Sequence, residues 1–270
     1  MKVSFITKED AIHPTIKEEG ILKIGKPIRD VNEFYSSALN GVDPSTFSAE
    51  NKSTSDYIIP VNPEKILCPA LNFKTHSSET NQKTPEFPYF FSKFKNALLS
   101  SNGQIMKHPG VEKLDYEGEI AAIIGKKTHN VSKSNAQQSI VGFAVVNDVS
   151  ARNYQNQFSE NLGKNWIMAK AADTFLPVSG EVFIGEEEEF DIRTEVNGEL
   201  RQSGNTGDMI FSFSEMIAYL SKNFTLEPGD MILSGTPSGV AASGKFKFLE
   251  KGDRVKISSR KIGSIDNEIA

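Results

Sequence analysis

The chain has 270 residues, of which 38% are hydrophobic and 24% charged, a composition typical of a globular protein that buries a substantial core. Its formal net charge of −5 argues against a nucleic-acid partner, because proteins that bind polyanions usually carry a basic excess. The single cysteine, Cys68, excludes an intrachain disulfide and a cysteine-rich zinc site, and makes a reducing cytoplasm the expected compartment. The sequence has no signal-peptide core and no run of about 18 apolar residues, so we expect neither export by that route nor a membrane partner.

The N-terminal part is predicted to form a small domain of its own. Short strand-like pieces, KVSFI and GILKI, precede one helix candidate, VNEFYSSALN. The polar stretch DPSTFSAENKSTSD then has the composition of a linker or a long loop. Pro60 and Pro63 mark the entry into a strand-rich body, so the expected domains are residues 1–60 and 61–270.

The body is predicted to be mostly β. Its strand candidates beyond residue 100 are EIAAIIG, VGFAVVNDV, EVFI, FDIRTEV, DMILSG, KFKFL and DRVKIS. Asn197-Gly198 indicates a hairpin, because a two-residue type I′ turn needs positive φ at both central positions. Ser212 and Glu215 predict a capping box before MIAYLSKN, and SARNYQNQFSENLG predicts a helix that stops at Gly163. With few helices, this pattern favours an α+β, mostly β fold with a β-roll or barrel-like body.

An acidic stripe opens the first of these strand candidates. In LDYEGEIAAIIG, residues 114–125, Asp115, Glu117 and Glu119 occupy every second position and would share one face of an extended strand. Like charges so close raise one another's pKa unless a cation lies among them. The stripe alone therefore leaves two interpretations open, a solvated strand end and a carboxylate cage for a divalent cation.

A further carboxylate follows the next strand candidate. In VGFAVVNDVSARNYQ, Asp148 comes directly after an apolar run, where it could join Glu117 and Glu119 in an all-oxygen site suited to Mg²⁺. An aspartate before a helix is also a common N-cap, because its carboxylate accepts backbone N–H bonds. Both interpretations of Asp148 stay open at this point.

Three other segments place polar residues in apolar or constrained surroundings. Lys170, in NWIMAKAADTF, is either a site residue or a lysine that snorkels along apolar surface. The glycine-rich turn at residues 235–239 either presents N–H groups to an anion or is an ordinary loop. In NFKTHSSET, one helical turn would join His76 and Glu79 as a base and its orienting carboxylate, whereas the polar composition also suits a solvated histidine or a mobile lid.

Seven segments, in order through residues 61–270, together resemble the fumarylacetoacetate hydrolase superfamily. They are ALNFKTHSSE, LDYEGEIAAIIG, VVNDVSARNYQ, AKAADTFLPVSG, VNGELRQSGNTGDMIF, LEPGDMILSGTPSGV and FLEKGDRVKIS. The resemblance implies a mixed β-roll catalytic domain, a variable N-terminal portion and a homodimer. It also implies that Glu117, Glu119 and Asp148 hold Mg²⁺ or Mn²⁺.

The same resemblance implies roles for six more residues. His76 and Glu79 match a water-activating dyad on a loop that orders over substrate, and Lys170 matches a lysine that stabilises developing negative charge. The positions that match substrate-contacting residues of the family are Arg152, Gln155 and Thr236. Thr236 matches the threonine that binds a substrate carboxylate. Two departures, Val-Ser-Gly after Pro177 and Ala-Ala-Ser-Gly after Val240, border the expected pocket and leave the substrate open.

The function expected from this resemblance is divalent-metal-dependent hydrolysis of a C–C bond in an acylpyruvate-like 2,4-dioxo acid, a small anionic 2-oxo acid. The alternative is decarboxylase, hydratase, isomerase or dehydratase chemistry on a small 2-oxo acid at the same metal site, oxaloacetate decarboxylation being one example. His76 and Glu79 favour hydrolysis, because family members with lyase or isomerase activity can lack that pair. A catalytically silent member is the second alternative. Asp115 has no assigned role and is expected to tune the site or to bond to nearby backbone or to a basic residue.

Overall fold

The fold is that of a computed structural model, which describes residues 1–49, 57–79, 83–158 and 163–270, with only the backbone of His76 and Ser78. The strands over these residues are β1 (Lys2–Lys8), β2 (Ala11–Glu18), β3 (Ile21–Ile24), β4 (Ser48–Ala49), β5 (Ile66–Pro69), β6 (Phe90–Lys93), β7 (Leu98–Leu99), β8 (Gln104–Ile105), β9 (Leu114–Asp115), β10 (Gly118–Ile124), β11 (Ile140–Asn147), β12 (Ser150–Ala151), β13 (Leu176–Pro177), β14 (Val182–Ile184), β15 (Asp191–Val196), β16 (Glu199–Asn205), β17 (Met231–Leu233), β18 (Arg254–Ser259) and β19 (Gly263–Ile269). The α-helices are α1 (Val31–Ala38), α2 (Lys74–Glu79), α3 (Lys133–Ala136), α4 (Arg152–Gln155), α5 (Trp166–Lys170) and α6 (Phe213–Leu220).

Two large sheets dominate the fold. The ten-stranded sheet has the order β4-β3-β2-β1-β14-β11-β10-β17-β5-β6, and the five-stranded sheet has the order β16-β15-β18-β19-β8. Two further sheets have two strands each, β12-β9 and β13-β7. Six short helices accompany the strands in the part of the chain that the structure describes, which confirms the α+β, mostly β fold class.

The N-terminal strands extend the large sheet. β1 pairs antiparallel with β14, and the meander β1-β2-β3-β4 continues outward from it. Helix α1 covers this region, with Phe34 and Tyr35 packed edge-on against Phe5 at centroid distances of 5.4 and 5.8 Å. Part of the expected linker, residues 50–56, lies outside the described residues. The division into two domains near residue 60 stays a prediction.

Local signals in the sequence predicted two features well. Asn197 and Gly198, with φ of 52° and 80°, connect β15 to β16 as the hairpin requires. At the start of α6 the Ser212 side chain accepts from the Glu215 N–H, and the Glu215 side chain accepts in return from the Ser212 N–H. Both signals act over a few residues, so distant packing does not override them.

Two sequence predictions about secondary structure were wrong, and one strand was missed. The helix expected to reach Gly163 ends at Gln155, and Asn156, the residue that follows, is a weak helix former. Part of that segment, residues 159–162, lies outside the description. KFKFL forms only a bridge between Leu249 and Leu114, and Leu249 is its one buried residue. Strand β2 was not predicted, since Pro14 within it is untypical of a strand.

Strands β10 and β11 lie at the centre of the fold. All seven residues of β10 and all eight of β11 are buried. Strands β15, β18 and β19 of the five-stranded sheet pack against β10 and β11, so these two strands lie where the two large sheets meet. In the described ranges no helix is both long enough and apolar enough to cross a membrane.

Candidate metal centre

The register of β10 and β11 brings three carboxylates together. Gly118 pairs with Asn147, so the next step outward sets Glu117 opposite Asp148, whose N–H donates to the Glu117 carbonyl at 2.9 Å. Because side chains alternate along a strand, Glu117, Glu119 and Asp148 share one face. One oxygen from each lies within 4.8 Å of the others, and all three residues are buried. The solvated strand end is therefore excluded for these residues.

Gly118 lets the second sheet approach closely on the opposite face. A Cβ at this position would lie 2.3 Å from Thr194 Oγ1 on β15. The Gly118 N–H donates to Gln202 Oε1 on β16 at 2.9 Å. The spacing Glu-Gly-Glu thus places two carboxylates on one face and leaves room for the neighbouring sheet on the other.

Lys170 lies between two of the three carboxylates. Its Nζ donates to Glu117 Oε2 at 2.6 Å and to Asp148 Oδ2 at 2.8 Å. Burial would lower the pKa of Lys170, but the charges of Asp148 and Glu117 outweigh burial and raise it. Lys170 is 2% exposed, so it does not snorkel to solvent. Asp148 does not cap α4, whose N-cap residue, Ala151, makes no side-chain capping bond.

Arg152 joins the cluster to a fourth carboxylate, Asp115. The guanidinium donates through Nη2 to Glu117, through Nε to Asp115 Oδ2 at 2.9 Å, and through Nη1 to Gln155 Oε1 at 2.9 Å. Asp115 also accepts the backbone N–H groups of residues 116, 241 and 242. The expectation that Asp115 bonds to backbone or to a basic residue is confirmed. The expectation of one strand through the stripe was wrong, because β9 ends at Asp115 and β10 begins at Gly118.

Glu119 is held by the glycine-rich turn. Its Oε2 accepts the Gly235 N–H at 2.9 Å. Burial raises the pKa of Glu119 well above its usual value, and the nearby charges of Asp148 and Glu117 raise it further. At the other end of the turn, the Gly239 N–H lies 3.1 Å from both carboxylate oxygens of Glu79. The turn therefore presents N–H groups to anions, and the anions are two carboxylates of the protein itself.

Helix α2 carries the predicted dyad. Its six residues include His76 and Glu79, with the Glu79 carboxylate on the turn at Gly239. The His76 side chain lies outside the described part of the chain, so a dyad between the two stays a prediction.

The predicted substrate contacts of Arg152, Gln155 and Thr236 also stay predictions. Gln155 accepts from Arg152. The Thr236 hydroxyl donates to the Gly118 carbonyl at 3.0 Å and accepts from Gln202 Nε2 at 2.8 Å.

Lys93 is a buried cation of the cluster that the sequence analysis missed. It lies at the end of β6, and its Nζ is 2.7 Å from Asp148 Oδ1. Burial lowers the pKa of Lys93, although the charge of Asp148 opposes this effect. The signal that could have revealed it is the alternation in FFSKF, which places Phe91 and Lys93 on the same inward face.

The donor set fits a divalent cation. When all are ionised, four buried carboxylates (Asp115, Glu117, Glu119 and Asp148) face three buried cations (Lys93, Arg152 and Lys170), which leaves one net negative charge. Asp148 Oδ1, which lies 2.7 Å from Lys93 Nζ, makes no other hydrogen bond among the described residues. Hard cations prefer such carboxylate oxygens, and a cation would offset the repulsion that raises the pKa of Glu119.

The family model for the C-terminal part of fumarylacetoacetate (FAA) hydrolase matches residues 65–270. The chain belongs to the fumarylacetoacetate hydrolase family. A fumarylacetoacetate hydrolase domain-containing protein 2 homolog from Dictyostelium discoideum is 38% identical over 78% of this chain and 72% of its own length. A mitochondrial oxaloacetate tautomerase from Homo sapiens is 35% identical over 81% of this chain and 70% of its own length.

Solved structures of fumarylacetoacetate hydrolase family proteins share the fold. The fumarylacetoacetate hydrolase of Exiguobacterium antarcticum has a TM-score of 0.85 at 26% identity and covers 100% of this chain and 99% of its own. The fumarylpyruvate hydrolase of Pseudomonas aeruginosa, in complex with Mn²⁺ and pyruvate, has a TM-score of 0.70 at 25% identity. That match covers 81% of this chain and 93% of the hydrolase. The recognition of the family from its motifs is confirmed.

Proposed function

We propose that this family member is a metal-dependent tautomerase that interconverts the enol and keto forms of a small 2-oxo dicarboxylic acid such as oxaloacetate. The observation that carries the proposal is the buried cluster of Glu117, Glu119 and Asp148 with Lys170 between two of them. The choice of reaction is supported by the curated relatives named oxaloacetate tautomerase, at 35% identity in Homo sapiens and in Xenopus laevis. This proposal places the isomerase alternative ahead of hydrolysis.

We propose that Glu117, Glu119 and Asp148 hold Mg²⁺ or Mn²⁺. When bound, the ion supplies a Lewis acid that polarises a carbonyl oxygen. Adding two positive charges turns the net charge of the buried groups from −1 to +1. The site then favours an anion, which agrees with a small 2-oxo acid as the substrate.

The residues of the chain supply the proton transfer and the charge. Tautomerisation moves a proton between the oxygen on C2 and the carbon C3. We assign this transfer to His76 and Glu79 on α2, where the Gly239 N–H holds the Glu79 carboxylate. Lys170, kept protonated by Glu117 and Asp148, offsets negative charge that develops on the substrate oxygen.

Hydrolysis of an acylpyruvate is the second candidate. It is supported by the 25% identical fumarylpyruvate hydrolase and by the dyad spacing of His76 and Glu79 on one helix. The dyad would then activate water instead of moving a substrate proton. Decarboxylation of oxaloacetate would use the same cluster without a water nucleophile.

Three assays on one protein preparation separate these reactions. All assays contain Mn²⁺. Ketonisation is monitored as the loss of the ultraviolet absorbance of enol-oxaloacetate. Pyruvate formation from oxaloacetate reports decarboxylation, and pyruvate formation from an acylpyruvate reports hydrolysis. We expect ketonisation well above the rate with Mn²⁺ alone, and its loss with EDTA. The combined Glu117→Gln and Glu119→Gln variant is expected to lose both ketonisation and Mn²⁺ binding. The exposed Glu186→Gln serves as the matched control.

Ketonisation no faster than with Mn²⁺ alone would refute the tautomerase, and acylpyruvate cleavage in the same preparation would establish the second candidate. Activity that survives EDTA would refute the metal site. If His76→Ala ketonises as fast as the wild type, the assigned proton transfer is wrong while the cluster stands.

We also propose a homodimer in a reducing cytoplasm. The buried, unpaired Cys68 agrees with that compartment, whereas the human relative is named a mitochondrial protein. Light scattering of the purified chain tests the homodimer. Fluorescence of a tagged chain in its own cells tests the compartment.

A further inference from the structure

The buried Lys93 ammonium contacts three backbone carbonyls. Its Nζ donates to the carbonyls of Val149 at 3.0 Å and Phe175 at 2.7 Å, and to the carbonyl of Lys170. A lysine ammonium has three N–H groups and no acceptor. Three carbonyl partners match the three N–H groups of the protonated form.

Asp148 forms a buried ion pair with this ammonium. Its Oδ1 lies 2.7 Å from Lys93 Nζ. The other oxygen, Oδ2, accepts from Lys170. Asp148 is thus fixed at both oxygens, at Oδ1 by Lys93 and at Oδ2 by Lys170.

The three carbonyls belong to the segments that carry the cluster. Val149 follows Asp148 directly, Lys170 is the last residue of α5, and Phe175 lies in the loop after that helix. Lys93 therefore contacts Asp148 and, through the backbone, the residue whose ammonium bridges Asp148 and Glu117.

We propose that Lys93 is a positioning residue that sets Asp148 and Lys170 in the geometry needed to bind a divalent cation. The proposal rests on the proposed metal site. It assigns Lys93 no contact with substrate, and its role is exerted through the two residues that it holds.

A positioning role and a mere charge effect predict opposite results. A cation 2.7 Å from a metal ligand opposes the binding of a second cation, so removing the charge alone would strengthen Mn²⁺ binding. Removing the positioning would weaken it instead. Mutation of a residue that orients metal ligands typically weakens metal affinity by about 10- to 100-fold.

The test is Mn²⁺ affinity, measured by electron paramagnetic resonance or calorimetry, in Lys93→Met and in Lys65→Met. Lys65 is the matched control, because it precedes the neighbouring strand β5 and pairs with the buried Asp230 at 2.9 Å, outside the cluster. We expect Lys93→Met to bind Mn²⁺ at least about tenfold more weakly. Lys65→Met is expected to lose thermal stability but to keep the wild-type Mn²⁺ affinity.

Lys93→Arg covers the case in which Lys93→Met does not fold. Arginine keeps the charge, but its planar fork does not match three carbonyls around one nitrogen. We expect a folded protein with the same loss of Mn²⁺ affinity. Unchanged or tighter binding in a folded Lys93 variant would overturn the proposal, and failure of both variants to fold would assign Lys93 to the fold alone. Wild-type protein that binds Mn²⁺ without ketonising oxaloacetate would refute the tautomerase but not this role, whereas wild-type protein that binds no Mn²⁺ would refute both.

Discussion

Replacing Gly118 with alanine would put a methyl group between the two sheets, next to both glutamates of the cluster. The new Cβ would lie 2.3 Å from Thr194 Oγ1, 3.1 Å from Ile257 Cγ2 and 3.3 Å from Gln202 Oε1. Ordinary contacts begin at 3.4 Å, so the closest contact falls short by 1.1 Å. Gly118 has negative φ, and the effect is therefore steric and not a matter of backbone conformation.

The clash is expected to cost about 1–3 kcal/mol of unfolding free energy, the range for overpacked cores. Thr194 is fully buried and β-branched, so its hydroxyl has little freedom to turn aside and β10 or β15 must move. A movement of β10 displaces Glu117 and Glu119 together. We therefore expect Gly118→Ala to lower the Mn²⁺ affinity as well as the stability.

A double-mutant cycle with Thr194→Ala tests this explanation by urea unfolding and Mn²⁺ titration. Thr194 Oγ1 has no hydrogen-bond partner among the described residues, so removing it breaks no hydrogen bond. The double variant is expected to recover most of the stability and of the Mn²⁺ affinity lost in Gly118→Ala. A Gly118→Ala protein with wild-type stability and affinity, or a cycle without recovery, would refute the reasoning.

Two further outcomes follow from the geometry. Burial and the nearby Asp148 and Glu117 raise the pKa of Glu119, so below that pKa a metal must displace a proton from the ion-free site. Mn²⁺ affinity should therefore rise as the pH increases through that pKa. Calorimetric titrations over a pH series would contradict this if the affinity stayed flat. Ser212→Ala removes the reciprocal cap of α6 and should lower the free energy of unfolding by about 1 kcal/mol and the melting temperature by roughly 2–4 °C. The control is Ser36→Ala, because Ser36 caps no helix. Equal melting curves for the two variants would count against the cap.

The parts of the fold that could be predicted depend on neighbouring residues. The Asn197-Gly198 hairpin and the Ser212 cap are set by turn and cap chemistry within a few positions. KFKFL shows the limit of such reasoning: its alternation is typical of a strand, but Phe246 packs against Arg201 at 4.6 Å instead of entering a sheet. No property of the five residues themselves distinguishes the two outcomes.

The candidate site shows the same division. Glu117, Glu119, Asp148 and Lys170 could be proposed from motif order, and the structure brings them together. For Lys93 the alternation in FFSKF could indicate an inward side chain but not its partners, because the three carbonyls lie 56, 77 and 82 residues away. The position of Asp115 was similarly open, since its partners at residues 152, 241 and 242 are remote in sequence.

These long separations also bear on how the chain folds. The carbonyls around Lys93 meet only when β6, α5 and the end of β11 are docked, so a chain in which these elements have not docked lacks this site. An ion that binds only the finished structure stabilises it by mass action, by about 1.4 kcal/mol for each tenfold excess over Kd. Metal availability during synthesis would then influence how much of the chain reaches and keeps its native form.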